Sequence, residues 1–411
     1  MDRILEFSRL HERVEALAKI GRDPVAGITR PFGSAGEREA REWFLEEARR
    51  AHFETSTDVA GNIWALYPGR YPDILAVGSH LDTVTRGGAY DGALGVILGL
   101  ESIQTLRERN YHPRHTLGVL VLSGEEPNSF RLSTLGSRLL AGMLAFEDIE
   151  DIRDDQGLLL RDALKLANAP SGNYRDVSIS RIRGFIEPHI EQGDRLKEMD
   201  APLAVVTTIT GIVRHAITII GEQNHAGTTT WEKRRDALQT FVSTMDLFQR
   251  LRAQYSDEVR GTVGYVNVFP NSVNIVPSQV EFIVEWRSPH PALLHSVAQT
   301  FWDQVQARIH ETGLKVSRTA ILSQDPVVMD SHMQNLLHQG IESHHERHPD
   351  LVSWAGHDAV HLAQRVPAGM LFIRSNGKSH CADEGCDGVD MAAALRVLIT
   401  VWGRWDQNES V

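Results

Sequence analysis

The sequence runs to 411 residues, 42% hydrophobic and 23% charged, with a formal net charge of −12. That length predicts two domains rather than one and leaves ample apolar material for a core. The acidic balance excludes a general nucleic-acid binder, which needs a basic footprint, and obliges any anionic ligand to be met by specific Arg or Lys side chains.

At the N-terminus, residues 2–20 mix charged and apolar positions at helical spacing, with Ile4, Leu5, Leu10, Val14 and Leu17 on one stripe. This pattern reads as an amphipathic helix and not as a signal peptide. A second helix is expected from about Gly36, after a Gly/Ser turn. Short apolar runs at Ile63–Tyr67, 74–78 and 117–122 read as buried strands, with a helix over 94–107 between the last two. After about residue 208 the texture changes to strand 213–220, helix 234–252, strands 262–269 and 280–286, helix 291–310 and strand 314–322. That order fits a compact α+β insert. Helical and strand patterns resume at 359–364, 370–374 and 392–402. The expected architecture is α/β: a mixed-sheet catalytic domain of residues 1–209 and 325–411, interrupted by a smaller α+β domain of residues 210–324. No apolar run approaches the ~18 residues of a membrane span. Two cysteines, Cys381 and Cys386, are too few for a disulfide framework. A soluble protein of the reducing cytoplasm, with neither membrane nor nucleic acid as partner, is the expectation.

Nineteen histidines are many, and histidine is the commonest metal-ligating side chain. In GSHLDTV, residues 78–84, His80 and Asp82 point to the same side of an extended chain. One can ligate a metal while the other orients the imidazole, although the pair alone is equally a structural or surface feature. Asp91 follows in GGAYDGALGV, where glycines allow close backbone approach; by itself it reads equally as a helix N-cap. Gly92, Gly95 and Gly99 do not fit the dinucleotide-binding spacing. Glu125 and Glu126 end a strand side by side, which is costly unless a cation relieves the repulsion or the turn is solvated. His189 sits in the strand-like IEPHIEQGD, a setting in which a lone His is ordinarily a satisfied core residue, and His380 in the loop GKSHCADE. Together these residues make up the ligand set of a two-metal hydrolytic site.

The ordered motifs GSHLDTV, GGAYDGALGV, EE, HIEQG, NHAGTT, NSVNIVP, GHDA and GKSH resemble the hydantoinase/carbamoylase family of amidases. That family lies within the aminoacylase/carboxypeptidase-like metallopeptidases and includes N-carbamoyl-L-amino acid hydrolases, allantoate amidohydrolases and β-ureidopropionases. The resemblance implies that His80, Asp91 and His189 hold one divalent cation and Asp91, Glu126 and His380 another, with Asp91 bridging. It further implies Glu125 as general base and Asp82 as the His-orienting residue. His225, in the Asn-His-Ala-Gly turn, would stabilise the oxyanion, in trans where a partner subunit supplies it. Gln192, Asn274, Arg287 and His357 would bind substrate, Arg287 by gripping a carboxylate bidentately. The insert would be a lid and dimerisation domain in a homodimer, and zinc the first expectation for the cations, with manganese, cobalt or nickel as alternatives.

Three departures bear on substrate rather than on ligands or base: Glu285-Trp286-Arg287 for Asp-x-Arg, Pro127-Asn128-Ser129-Phe130 after the paired glutamates, and Lys378 before Ser379-His380, with Arg374 upstream. They bring cationic and bulky groups toward the expected pocket, where Cys381 and Cys386 read as free thiols. The expected reaction is hydrolysis of an N-carbamoyl-L-amino acid to amino acid, carbon dioxide and ammonia, with allantoate or β-ureidopropionate as alternative small ureido carboxylates. An aminoacylase or peptidase, and a non-catalytic binding protein on the same scaffold, are the rival readings.

Overall fold

The computed structural model describes residues 2–168, 177–255 and 257–407, the side chains of residues 2–6 excepted. The side chains of Ile4 and Leu5 thus lie outside the described residues, whereas Leu10, Val14 and Leu17 of the same stripe are buried. Their helix, Asp2–Leu17, gives way to a turn before residue 20. Ser34 starts the next helix, Ala35–Arg50, by accepting the Glu37 N–H, as an N-cap hydroxyl does.

By its internal contacts the chain divides into two compact units, Met1–Thr207 with Met329–Val411, and Thr208–Val328. In chain order the strands are β1 (Glu54–Thr57), β2 (Ile63–Tyr67), β3 (Tyr71–His80), β4 (His115–Leu122), β5 (Ile182–Ile190) and β6 (Leu203–Ile209). There follow β7 (Gly211–Ile220), β8 (Asn224–His225), β9 (Arg260–Phe269), β10 (Ile275–Val276), β11 (Gln279–Ser288), β12 (Lys315–Gln324) and β13 (Val327–Val328), and then β14 (Asp350–Ser353) and β15 (Ala368–Ile373).

The larger unit is built on a mixed sheet in the order β1-β2-β4-β3-β5-β15-β6. Its centre is parallel: β3 pairs with β4 and β5, and β5 with β15. Antiparallel β2 and β6 flank that centre. Every residue of β4 is buried, as in a strand covered on both faces. The helix Ala93–Glu108 is buried on nearly all sides, and Trp402 of the helix Gly388–Gln407 donates to its Ser102 Oγ at 2.8 Å. Its buried Glu101 is met by Arg9 at 2.6 Å and Arg13 at 2.7 Å, so the carboxylate enters the core with its charge balanced.

The smaller unit is an antiparallel sheet in the order β12-β7-β11-β9. Along β11, Val280, Phe282, Val284 and Trp286 turn into a core shared with the helices Ala237–Gln254 and Pro291–Thr312. Alternation places Glu281, Ile283, Glu285 and Arg287 on the opposite face. The first of those helices starts three residues later than the spacing predicts, because Asp236 acts as N-cap for Leu238 and Gln239. The polar β1, ETST, has no apolar pattern and becomes a strand by pairing with β2, whereas β6, with its buried LAVV run, pairs with β15 outside the expected elements. No described helix is long and apolar enough to cross a membrane.

One buried histidine makes the larger unit sensitive to acid. His361, in the short helix Ala359–Leu362, is 8% exposed and sits between Thr134 Oγ1 at 2.9 Å and Met143 Sδ at 3.2 Å. Burial, reinforced by Arg138, lowers its pKa from 6.5 to about 4. A depressed histidine contributes stability that is fully present above pH 6.5 and is lost as pH falls toward 4, here up to roughly 3 kcal/mol. Urea unfolding of the wild type and His361→Gln at pH 7.5 and 4.5 should therefore show the wild-type advantage shrinking by about that amount. Parallel stabilities at the two pH values would refute it.

Candidate metal centre

Five side chains with lone pairs to offer converge at the carboxyl ends of the parallel strands, where open α/β sheets place their ligands. His80 is the last residue of β3, and Asp91 lies in the loop leading to the helix Ala93–Glu108. Glu126 follows β4, His189 is the penultimate residue of β5, and His380 sits in the loop after β15. Register does the alignment. Val77 pairs with Ile186, and three residues further along each strand come His80 and His189, with ring centroids 6.0 Å apart.

Asp91 is shared between two groups. Its Oδ1 lies 3.1 Å from His189 Nε2 and 3.6 Å from His80 Nε2; its Oδ2 lies 3.5 Å from His380 Nε2, which is itself 3.2 Å from Glu126 Oε1. Within each group, His80–Asp91–His189 and Asp91–Glu126–His380, the candidate ligand atoms lie within 4.8 Å of one another. The conformation at Gly92 makes this possible: its φ is +63°, and a Cβ there would stand 2.3 Å from His80 Nε2.

The donor set fits divalent cations. His189 Nδ1 donates to the Ile190 carbonyl at 2.9 Å, and His80 Nδ1 to the Asp82 carbonyl at 3.0 Å. Each Nε2 is left as a lone pair, and that of His189 also accepts the Gly92 N–H at 3.2 Å. Two imidazole nitrogens and a carboxylate oxygen, all buried, thus face one another; a cation suits this set and would take the His189 lone pair from the Gly92 N–H. Oxygen and nitrogen donors without thiolate suit several first-row metals.

Asp82 acts differently from the expectation that it orients His80. The imidazole takes its backbone carbonyl, while the carboxylate stays 3.6 Å from Nδ1 and instead accepts the N–H groups of Glu125 at 3.3 Å and Glu126 at 3.0 Å. Asp82 thus touches the backbone of both glutamates as well as the His80 ring. Glu125 Oε2 is 3.8 Å from His80 Nε2, and its side chain is 12% exposed. Burial pushes its carboxyl well above the usual range; the opposing His80 is offset by the negative charges of Glu126, Asp358 and Asp82.

Two of the residues expected to bind substrate lie beside the ligand groups. Gln192 Nε2 donates to Asp91 Oδ2 at 2.7 Å, and His357, 2% exposed, bonds Ser353 Oγ at 2.9 Å with its ring packed edge-on to His189 at 4.5 Å. Contacts that the sequence reading missed complete the surroundings of Asp91. Ser379 Oγ donates to its Oδ2 at 2.6 Å, and Glu384 accepts its backbone N–H at 3.0 Å. The residue types Ser and Glu beside His380 were the only signal. The cationic departures are neutralised within the unit: Lys378 pairs with Asp383 at 3.1 Å, and Arg374 with Asp390 at 2.8 Å and Asp200 at 3.1 Å. Phe130 is buried against Phe32. Cys381 and Cys386 are free thiols.

The smaller unit carries the remaining three candidates. His225, exposed in β8, accepts the N–H groups of Gly227 and Thr228 on Nδ1 at 3.1 and 3.2 Å, which places its proton on Nε2. The Asn274 carbonyl accepts the Ala226 N–H at 3.0 Å, and Asn274 Oδ1 accepts Ser272 Oγ at 2.9 Å. Arg287 Nε donates to Glu285 Oε1 at 2.6 Å, and Arg214 holds the other carboxylate oxygen.

A mixed α/β sheet bearing this cluster at its parallel strand ends is the scaffold of a hydrolase, and residues 76–404 match Peptidase family M20/M25/M40. The chain belongs to that family, whose enzymes are generally metal-dependent. Within it, the chain is of the hydantoinase/carbamoylase type, and its named homologues are amidohydrolases acting on C–N bonds outside peptides. It is 32% identical to an N-carbamoyl-L-amino acid amidohydrolase of Geobacillus stearothermophilus, covering 97% of this chain and 98% of the relative. It is 31% identical to an allantoate amidohydrolase of Escherichia coli (strain K12), covering 95% of each. Among solved structures it is similar to a hydantoinase/carbamoylase family amidase of Burkholderia multivorans, with TM-score 0.88 and 29% identity over 96% of this chain and 97% of that one.

Proposed function

We propose that the chain hydrolyses an N-carbamoyl-L-amino acid, taking up one water and releasing the amino acid, carbon dioxide and ammonia. The observation that supports a dinuclear centre is the division of Asp91, with Oδ1 toward His80 and His189 and Oδ2 toward Glu126 and His380. Divalent cations in these groups would supply Lewis acidity, lowering the pKa of water and polarising the ureido carbonyl. Glu125 takes a proton from the attacking water and delivers it to the leaving nitrogen, which leaves poorly as an anion. Asp82 holds the backbone of that glutamate in place through its N–H. His225 offers its Nε2 proton to the developing oxyanion, a contribution of order 10²–10³ in kcat. Asn274 and Gln192 orient the ureido group, and His357 acts through His189, against which it packs. Arg287 receives the substrate carboxylate, its guanidinium set by Glu285. A cytoplasmic homodimer belongs to the same reading, supported by the resemblance and the composition; a mass in solution equal to a single chain would remove the dimer.

The carbamoyl substrate is preferred on the relative from Geobacillus stearothermophilus, and the allantoate amidohydrolases of Escherichia coli and Bacillus subtilis, at 31% and 30% identity, support allantoate as the second reading. Ammonia release should be measured across carbamoyl-L-amino acids, allantoate and β-ureidopropionate, with zinc, manganese, cobalt or nickel restored to stripped enzyme. The highest kcat/KM is expected for a carbamoyl-L-amino acid. A higher value for allantoate overturns the choice of substrate; metal-independent turnover overturns the centre itself.

A further inference from the structure

Glu384 belongs to neither ligand group, yet it fastens together the two loops on which the second group depends. Its carboxyl is nearly buried, at 8% exposure. Oε1 accepts the backbone N–H of Tyr90 at 2.8 Å and of Asp91 at 3.0 Å. Oε2 lies 3.2 Å from Ser379 Oγ, whose hydroxyl reaches Asp91 Oδ2 at 2.6 Å. One side chain thus joins the Asp91 loop to the His380 loop, 293 positions away in the chain. Gly88 leaves the room for it, since a Cβ there would stand 2.1 Å from Glu384 Oε1.

The two groups differ in how much they need such a fastening. His80 and His189 project from sheet strands, and their side chains are 1% exposed. The His380 side chain is 49% exposed, and its backbone φ of +56° is in the left-handed region that a side-chain-bearing residue seldom occupies. Asn376 closes the His380 loop on itself, through its N–H to the Gly385 carbonyl at 2.9 Å and its amide to the Asp383 carbonyl at 2.7 Å. Neither bond ties the loop to Asp91. Glu384 and Ser379 do.

We propose that Glu384 is a positioning residue that sets His380 against Asp91, and thereby controls the affinity of the Asp91–Glu126–His380 group for its cation far more than that of the His80–Asp91–His189 group. The inference rests on the reading of these groups as cation sites. Removing the carboxyl frees two backbone N–H groups and releases the His380 loop, while the sheet still holds the two buried histidines. A glutamine would keep an acceptor for both N–H groups and offer its amide N–H to Ser379 Oγ.

The test is a cobalt(II) titration of the metal-free full chain, followed by heat and by the visible spectrum of the bound ion. Wild type should bind two equivalents. In Glu384→Ala one equivalent should weaken by ~10–100-fold, the range for lost outer contacts to a ligand. The other should stay within about threefold, and Glu384→Gln should restore both to that margin. Equal weakening of both equivalents in Glu384→Ala, or none, overturns the proposal. Should Glu384→Ala fail to fold, Ser379→Ala cuts the same link, and unaltered affinities there also overturn it. A wild type that binds no cobalt removes the underlying reading and this inference together, whereas two wild-type equivalents with an indifferent Glu384→Ala remove only the inference.

Discussion

Replacing Glu125 by Gln should lower kcat by ~10³-fold, within the 10²–10⁴ range of general acid–base catalysis, and leave cation binding within about threefold of wild type. The physical case begins with placement. Glu125 follows β4, its N–H is held by Asp82 Oδ1 at 3.3 Å, and its carbonyl accepts the Thr134 N–H at 2.9 Å. Its Oε2 is 3.8 Å from His80 Nε2, but Glu125 is in neither ligand group. In the metal-free chain burial and the neighbouring carboxylates raise its pKa, while its place beside the ligands, outside both groups, leaves its carboxylate free to accept a proton and return it. Glutamine has the same shape and no basic oxygen of that kind, so the effect should fall on kcat and not on fold or metal content. Single-turnover kinetics with elemental analysis of the same sample make the comparison. A variant retaining more than a tenth of wild-type kcat would remove Glu125 from the role of base.

Asp91→Asn should have the widest effect of any single change, because both ligand groups lose the same carboxylate. Its two oxygens serve different groups, so an amide weakens each: one oxygen becomes an N–H donor, and the negative charge that offsets two cations disappears. Cation content after dialysis should fall from two equivalents to fewer than one, and kcat/KM by ~10³-fold or more, the scale of losing the metal's contribution as well as the water's activation. Stability supplies an independent reading. A ligand bound only by the native state at a thousand times its Kd stabilises by about 4 kcal/mol, and that increment should vanish in the variant. His189→Ala makes the contrast, since it strips one group alone and should leave the other cation bound. An Asp91→Asn enzyme that keeps two equivalents after dialysis would show that Asp91 is not shared.

Much of the larger unit was legible because strands inside its sheet are short, apolar and buried. IWALY and HTLGVLVL stand out in the chain with no knowledge of their neighbours. The helix Ala93–Glu108 was recognisable by length despite lacking an amphipathic face, since a run of that extent exceeds a buried strand. Flanking pieces escaped notice for the converse reason. ETST has no apolar pattern, and only pairing with β2 makes it a strand.

By itself, the sequence determined which residue types stand at the ends of apolar segments, and so where His80, Asp91, the paired glutamates, His189 and His380 would lie along their elements. These are local properties, written within a few residues of each position by periodicity and by glycine. Only the tertiary structure decided how the atoms are shared: which oxygen of Asp91 serves which group, that the Asp82 carboxylate holds the glutamates and its carbonyl holds His80, and that Gln192, Ser379 and Glu384 surround Asp91. The contacts of Gln192, Ser379 and Glu384 with Asp91 span 101 to 293 positions of chain and exist because parallel strands in register carry their loops to one edge. Hydrogen-bond geometry at that edge is settled at the scale of tenths of an ångström, which no spacing along the chain encodes.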